Sequence, residues 1–208
     1  EVRRMARRDI QEGLKNERVQ IQDSLGNIAE PDEEGGYMYW PGSPQFDQVN
    51  AFYYATFTLR LFERYAHRAI PWAFPAPRLL IDPHVGNEAN AFYNEQERLL
   101  GFHTFIDSNG KEVSTAQSAD VVVHETAHAV LDGLRDLYNE SFGLGTRAFH
   151  ESFGDMAAIL VALNDDSLIH RVLDWTEDNL RTSNFVSEVA ESGANNLQDT
   201  AEHARQHT

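Results

Sequence analysis

The chain has 208 residues, enough for one large domain or one and a half and for a substantial core. Asp and Glu outnumber Lys and Arg by 33 to 17, and the resulting formal charge of −16 argues against nucleic acid and anionic membrane surfaces as partners. Cysteine is absent, which removes both a disulfide framework and a thiolate metal site, so any zinc must be held by histidine and carboxylate.

Residues 1–16 read as a polar helix in which Arg3, Arg4, Arg7 and Arg8 form a basic cluster, either a solvated helix face or the remnant of a linker. Residues 18–22 alternate like a half-buried strand, and the acidic, proline-containing passage 31–44 reads as a loop. Asp47 is a candidate N-cap for a long buried helix over 49–67, with Phe52, Tyr53, Phe57, Leu59, Leu61, Phe62 and Tyr65 on it and Pro71, Pro75 and Pro77 after its end. Short strands are expected at 79–81, 91–93 and 99–102, with a turn at 107–110.

A helix is expected from about Ser118 to Leu137. Val121, Val122, Val123, Ala127, Val130 and Leu131 make it apolar on most sides, hence buried. A glycine-containing connection, 141–145, leads to a second apolar helix over 148–163. Asn164, Asp165 and Asp166 break that helix and can cap a third, bearing Leu168, Ile169, Val172, Leu173 and Trp175. No stretch approaches the length of a membrane span, and no signal-like segment is present. Because the sequence starts at Glu1, an upstream segment is expected to have been removed or left out. The expected division is 1–46 as an N-terminal segment, 47–165 as the main lobe, and 166–208 as the beginning of a further helical part.

Residues 124–128 read His-Glu-Thr-Ala-His. Four residues along a helix return to the same face one turn on, so His124 and His128 can close on one Zn²⁺. Glu125 then falls beside the metal, where it can act as general base toward a water molecule. Buried histidines need partners, which weighs against two idle surface imidazoles. A catalytic zinc keeps three protein ligands, and Glu151 on the following helix is the candidate third; His150, about 100° around that helix, is the rival. Asp155, one turn beyond Glu151, can accept from the far N–H of His124 and fix its orientation.

The motif, with Glu151 twenty-six residues after Glu125 inside a Glu-x-x-x-Asp pair, resembles the thermolysin-like gluzincin metalloproteases. Asn90-Ala-Phe-Tyr-Asn94 resembles that family's edge strand, Asp120-Val-Val-Val-His-Glu its approach to the zinc helix, and Ala51-Phe-Tyr-Tyr54 the start of the preceding long helix. The likeness spans about residues 47–163. It implies an α+β zincin lobe with a small antiparallel sheet, an endopeptidase activity on peptide or protein substrates, one catalytic zinc, and secretion.

It further implies that a substrate binds as a strand added to residues 90–93, with the Asn90 side chain and the Ala91 carbonyl holding its backbone. Tyr138, ten residues past His128, corresponds to an oxyanion donor, and His207, with His203 as the alternative, to a second; Arg205 is a candidate substrate-binding arginine. A thermolysin-type Ca²⁺ site is not expected, because Ala162 stands where the family has a glutamate partner for Asp120. The alternative function is a zinc-binding module with weak or no catalysis that binds a peptide or protein partner. Oligomeric state is not legible in the sequence.

Overall fold

The computed structural model describes residues 10–11, 13–135, 143–181 and 183–184. These form a mixed α+β unit of four helices and one five-stranded sheet. In chain order the elements are β1 (Val19–Ile21), α1 (Pro44–Ala66), β2 (Leu79–Gly86), β3 (Ala91–Asn94), β4 (Leu99–Ile106), β5 (Glu112–Ser114), a 3-10 turn (Thr115–Gln117), α2 (Ala119–Leu134), α3 (Leu144–Ala162) and α4 (Asp166–Thr176).

The sheet runs β1-β2-β4-β3, with β5 on the far end of β4. It is mixed, not antiparallel as expected. β1 and β2 pair in parallel because α1 carries the chain back between them, the connection parallel strands require. β2 and β4 are also parallel, while β3 and β5 run antiparallel to β4. A tight turn with Arg98 in the left-handed region (φ 57°) joins β3 to β4. β1 and β3 are the terminal strands of this order, so β3 has β4 on one side only.

Several boundaries differ from the sequence expectation. Residues 13–14 form a turn instead of helix, with Gly13 at φ 78° and Leu14 at φ 49°, and Leu14 is buried. α1 begins at Pro44, capped by the Ser43 hydroxyl accepting from Phe46 N at 3.2 Å. Proline suits the first helical position because its missing N–H would be unsatisfied there anyway, and Asp47, expected as the cap, becomes a buried first-turn residue. α2 ends at Leu134, α3 starts four residues before Ala148, and β5 was not anticipated.

One core joins the sheet to α1 and α2 through Phe52, Leu59, Ile81, Leu100, Phe102 and Val122. A smaller one holds α3 against α1 and α2 through Leu61, Val123, Ala127, Ala157 and Val161. Val122 and Val123 thus serve different cores, which explains why α2 is apolar on most sides. Each large side chain so buried contributes roughly 1.5–3 kcal/mol relative to exposure. Among the described residues no helix is long and apolar enough to cross a membrane.

Candidate metal centre

α2 carries His124, Glu125 and His128, and α3 crosses it with His150, Glu151 and Asp155. One carboxylate spans the two motif histidines: Glu151 Oε2 lies 3.3 Å from His124 Nε2, and Glu151 Oε1 lies 3.9 Å from His128 Nε2. Ligand atoms of His124, Glu125 and His128 also lie within 4.8 Å of one another. Two imidazoles and two carboxylates therefore converge on one small volume.

Behind this group each imidazole has a second partner. Asp155 Oδ1 stands 3.0 Å from His124 Nδ1. His150, the rival ligand, does not face the centre of the group: its Nδ1 lies 3.4 Å from His128 Nδ1, and both rings are buried. Gly154 makes the crossing of the two helices possible. A Cβ there would come within 2.7 Å of the His124 ring, so only a residue with no side chain lets α3 pass over that imidazole.

The two histidines differ in charge when no metal is bound. Burial disfavours an imidazolium at His124, but the Glu151 hydrogen bond and the charges of Glu125, Glu151 and Asp155 outweigh it and raise the pKa to about 9. Burial, followed by the positive charge of His124, pushes His128 down to about 3, so it is neutral.

The carboxylates also separate. The hydrogen bond to His124 draws Glu151 below its ordinary value against some burial, and its side chain is 45 % exposed. Burial lifts Glu125 to about 7, against the opposing charge of His124 and a hydrogen bond from the Tyr93 backbone, although part of its surface stays open to solvent. Burial likewise raises Asp155, partly offset by His124. Glu151 is thus the carboxylate that stays ionised, and Glu125 the one that can exchange a proton near neutrality.

The remaining candidates fall in three groups. Asn90 is exposed at the entry to β3; its Oδ1 accepts from Ala91 N at 2.9 Å, and its carbonyl accepts from His103 Nδ1 at 3.0 Å and from the Thr115 hydroxyl at 3.1 Å. Ala91 opens the edge strand opposite Phe102. Asp120 accepts from the Ser118 hydroxyl, and Ala162 is the last residue of α3. Tyr138, His203, Arg205 and His207 lie outside the described residues.

Sequence reasoning missed the placement of His150 behind His128, the cradle at Gly154, and a link from β3 to α2. In that link Tyr93 OH donates to Asp132 Oδ2 at 3.0 Å while the Tyr93 backbone binds Glu125. A mid-helix glycine at 154 and a carboxylate at 132 within the apolar stretch 129–134 were the available signals.

No protein-family model matches this chain, and no curated protein does. If His124 is a zinc ligand that Asp155 orients, Asp155→Ala should lower zinc affinity by about 10- to 100-fold. Competition with a chromophoric chelator measures this, and unchanged affinity in a folded variant would reduce Asp155 to a half-buried carboxylate of no consequence.

Proposed function

We propose that this chain is a zinc-dependent endopeptidase with a thermolysin-like gluzincin lobe. The observation that carries the proposal is a single carboxylate, Glu151, set against the Nε2 atoms of both motif histidines, with a second, proton-exchanging carboxylate beside them. Two imidazole nitrogens and a carboxylate oxygen are a donor set that suits Zn²⁺, and three protein ligands leave a position for the reacting molecules. His124, His128 and Glu151 would hold the ion. Bound there, zinc would supply Lewis acidity toward a peptide carbonyl and toward a water molecule.

The chain's own residues carry the rest of the reaction. Glu125 takes a proton from the attacking water and returns it to the leaving amine. The exposed edge of β3 receives the substrate as an added strand, with the Asn90 side chain and the Ala91 carbonyl engaging its backbone. Tyr138 and His207 are proposed as donors to the oxyanion. For His128 to offer Nε2 as a ligand, its Nδ1 must carry the proton, and that nitrogen faces His150 Nδ1 at 3.4 Å. Secretion and a peptide or protein substrate belong to the same proposal.

Zinc binding provides the test. His124 carries a proton below about pH 9 in the metal-free site, and that proton must leave before Nε2 can ligate. Apparent zinc affinity should therefore rise with pH, by about tenfold per unit through neutrality, and level off near pH 9. Chelator competition across that range, with metal content of the purified protein, checks both stoichiometry and slope. Failure to bind one zinc per chain, or binding undiminished in Glu151→Ala, would overturn the ligand set.

A further inference from the structure

A second buried ionic group sits outside the zinc site, at the far end of β2. The pairing of β2 with β4 loses register between Asp82 and Gly86, a stretch containing Pro83, which has no N–H to give a ladder. The irregularity breaks the alternation of the strand and turns His84 toward α1. There its two ring nitrogens meet two different carboxylates: Nδ1 is 3.1 Å from Asp23 Oδ1, and Nε2 is 3.4 Å from Asp47 Oδ2. Side-chain exposure is 7 % for His84, 0 % for Asp23 and 5 % for Asp47, so the three are withdrawn from water together.

The surrounding hydrogen bonds tie this group to the segment after β1. Asp23 also accepts from Gln48 Nε2, which donates to Asn27 O at 2.6 Å, while Gln48 Oε1 accepts from Ala29 N at 2.8 Å. Asp82 accepts from His84 N at 3.0 Å and from Ser24 N at 3.3 Å, and its other oxygen accepts from the Ser24 hydroxyl. The charged or titratable groups around the imidazole are thus Asp23 from segment 22–29, Asp47 from α1 and Asp82 from β2 itself. Among the described residues His84 is the one cationic partner that Asp23 or Asp47 has, and the second oxygen of Asp47 is buried with no hydrogen bond.

The arrangement does not suit a metal. The carboxylates occupy opposite edges of one ring, and among the described residues three ligand atoms gather closely only at His124, Glu125 and His128. It suits a proton, because an imidazolium can donate from both nitrogens at once and a neutral imidazole from only one.

We propose that His84 is a protonation-controlled clamp: as an imidazolium between Asp23 and Asp47 it holds segment 22–29 and the bulged end of β2 against the start of α1, and loss of its proton releases that corner. Burial opposes the charge, but the hydrogen bonds to Asp47 and Asp23 outweigh it, so the folded protein holds the His84 proton more tightly than an open state does. The sign follows from linkage: the clamp is fully present below the ordinary histidine pKa and is lost as pH rises through the raised value. Because β2 runs by way of residues 87–90 into β3, release would loosen the base of the edge strand. None of this depends on the zinc proposal.

The experiment is an NMR titration of the full chain with amide hydrogen exchange, the His84 ring signal being assigned by its loss in His84→Gln. His84 should titrate above the ordinary histidine value. Protection of the Ser24 and Ala29 amides, corrected for intrinsic exchange, should fall about tenfold per pH unit between the open-state and clamped pKa values, while Val130 in α2 is unaffected. Asp47→Asn should move the His84 midpoint and the protection transition to lower pH together, a coupled shift that a purely structural histidine would not give. His84→Gln should show low, pH-independent protection; if it does not fold, Asp47→Asn decides. An unraised midpoint, protection that ignores the His84 titration, or an Asp47→Asn variant with both transitions unmoved would overturn the clamp.

Discussion

Glu125→Gln should leave the fold and the zinc content unchanged while cutting peptide turnover by at least about 10²-fold. The carboxamide is nearly isosteric, so it keeps the place of Glu125 beside His124 on α2, but it has no basic oxygen with which to take a proton. The parent side chain is poised for that role, since burial lifts it to about 7, the charge of His124 and the backbone hydrogen bond from Tyr93 keep it from rising further, and a base works best near the operating pH. Turnover in the parent should accordingly fall as pH drops through the Glu125 pKa, because the protonated acid cannot act as base. A bound dication would move that midpoint below its metal-free position. Hydrolysis of a mixed peptide library by parent and variant, with zinc measured in both, is the check. Equal rates would refute the assigned base, and zinc-loaded but inert protein in both cases would favour a peptide-binding module without catalysis.

A larger structural effect is expected from a smaller substitution. Gly154→Ala should lower both thermal stability and zinc affinity, although alanine is the better helix former by about 1 kcal/mol. The opposing effect is steric: the new Cβ would sit 2.7 to 2.8 Å from three atoms of the His124 ring, closer than side chains tolerate. That ring cannot swing aside cheaply, since Asp155 holds one nitrogen and Glu151 faces the other. Overpacking of this kind costs about 1–3 kcal/mol, enough to reverse the propensity gain, and displacement of a ligating imidazole should weaken zinc binding by at least about tenfold. Gly145→Ala, on the same helix and with nothing within 4 Å of its Cβ position, is the control and should be neutral or stabilising. A Gly154→Ala protein as stable as its parent and binding zinc equally well would mean that α3 does not cross His124 as described.

The parts of the site legible in the sequence are those that helical periodicity encodes. His124 and His128, and likewise Glu151 and Asp155, are four residues apart, so each pair shares a face once its helix exists, and apolar runs at 121–123 and 157–161 announce both helices. What could not be read depends on how two elements meet. Nothing in local spacing tells that His150, one residue from Glu151, turns to His128, or that Gly154 is where the helices touch. Strand direction was hidden for a related reason. Runs as short as 79–81 and 91–94 signal an extended chain but not the sense of pairing, which follows from the return path through α1 for the first and from the tight turn into β4 for the second. The start of α1 was misplaced because Pro44 reads as loop until a preceding cap, Ser43, is recognised with it.

Tyr93 gives the molecule a fixed ruler. Its backbone reaches Glu125 and its phenol reaches Asp132, so a single residue of β3 is fastened to α2 at two points nearly two turns apart. A peptide laid along β3 would be positioned relative to Glu125 through that residue, with little slack for the strand to slide or tilt. Changes made on β3 to alter which peptides are accepted would then also displace the base, so the choice of substrate and the speed of its cleavage would be difficult to tune separately in this protein.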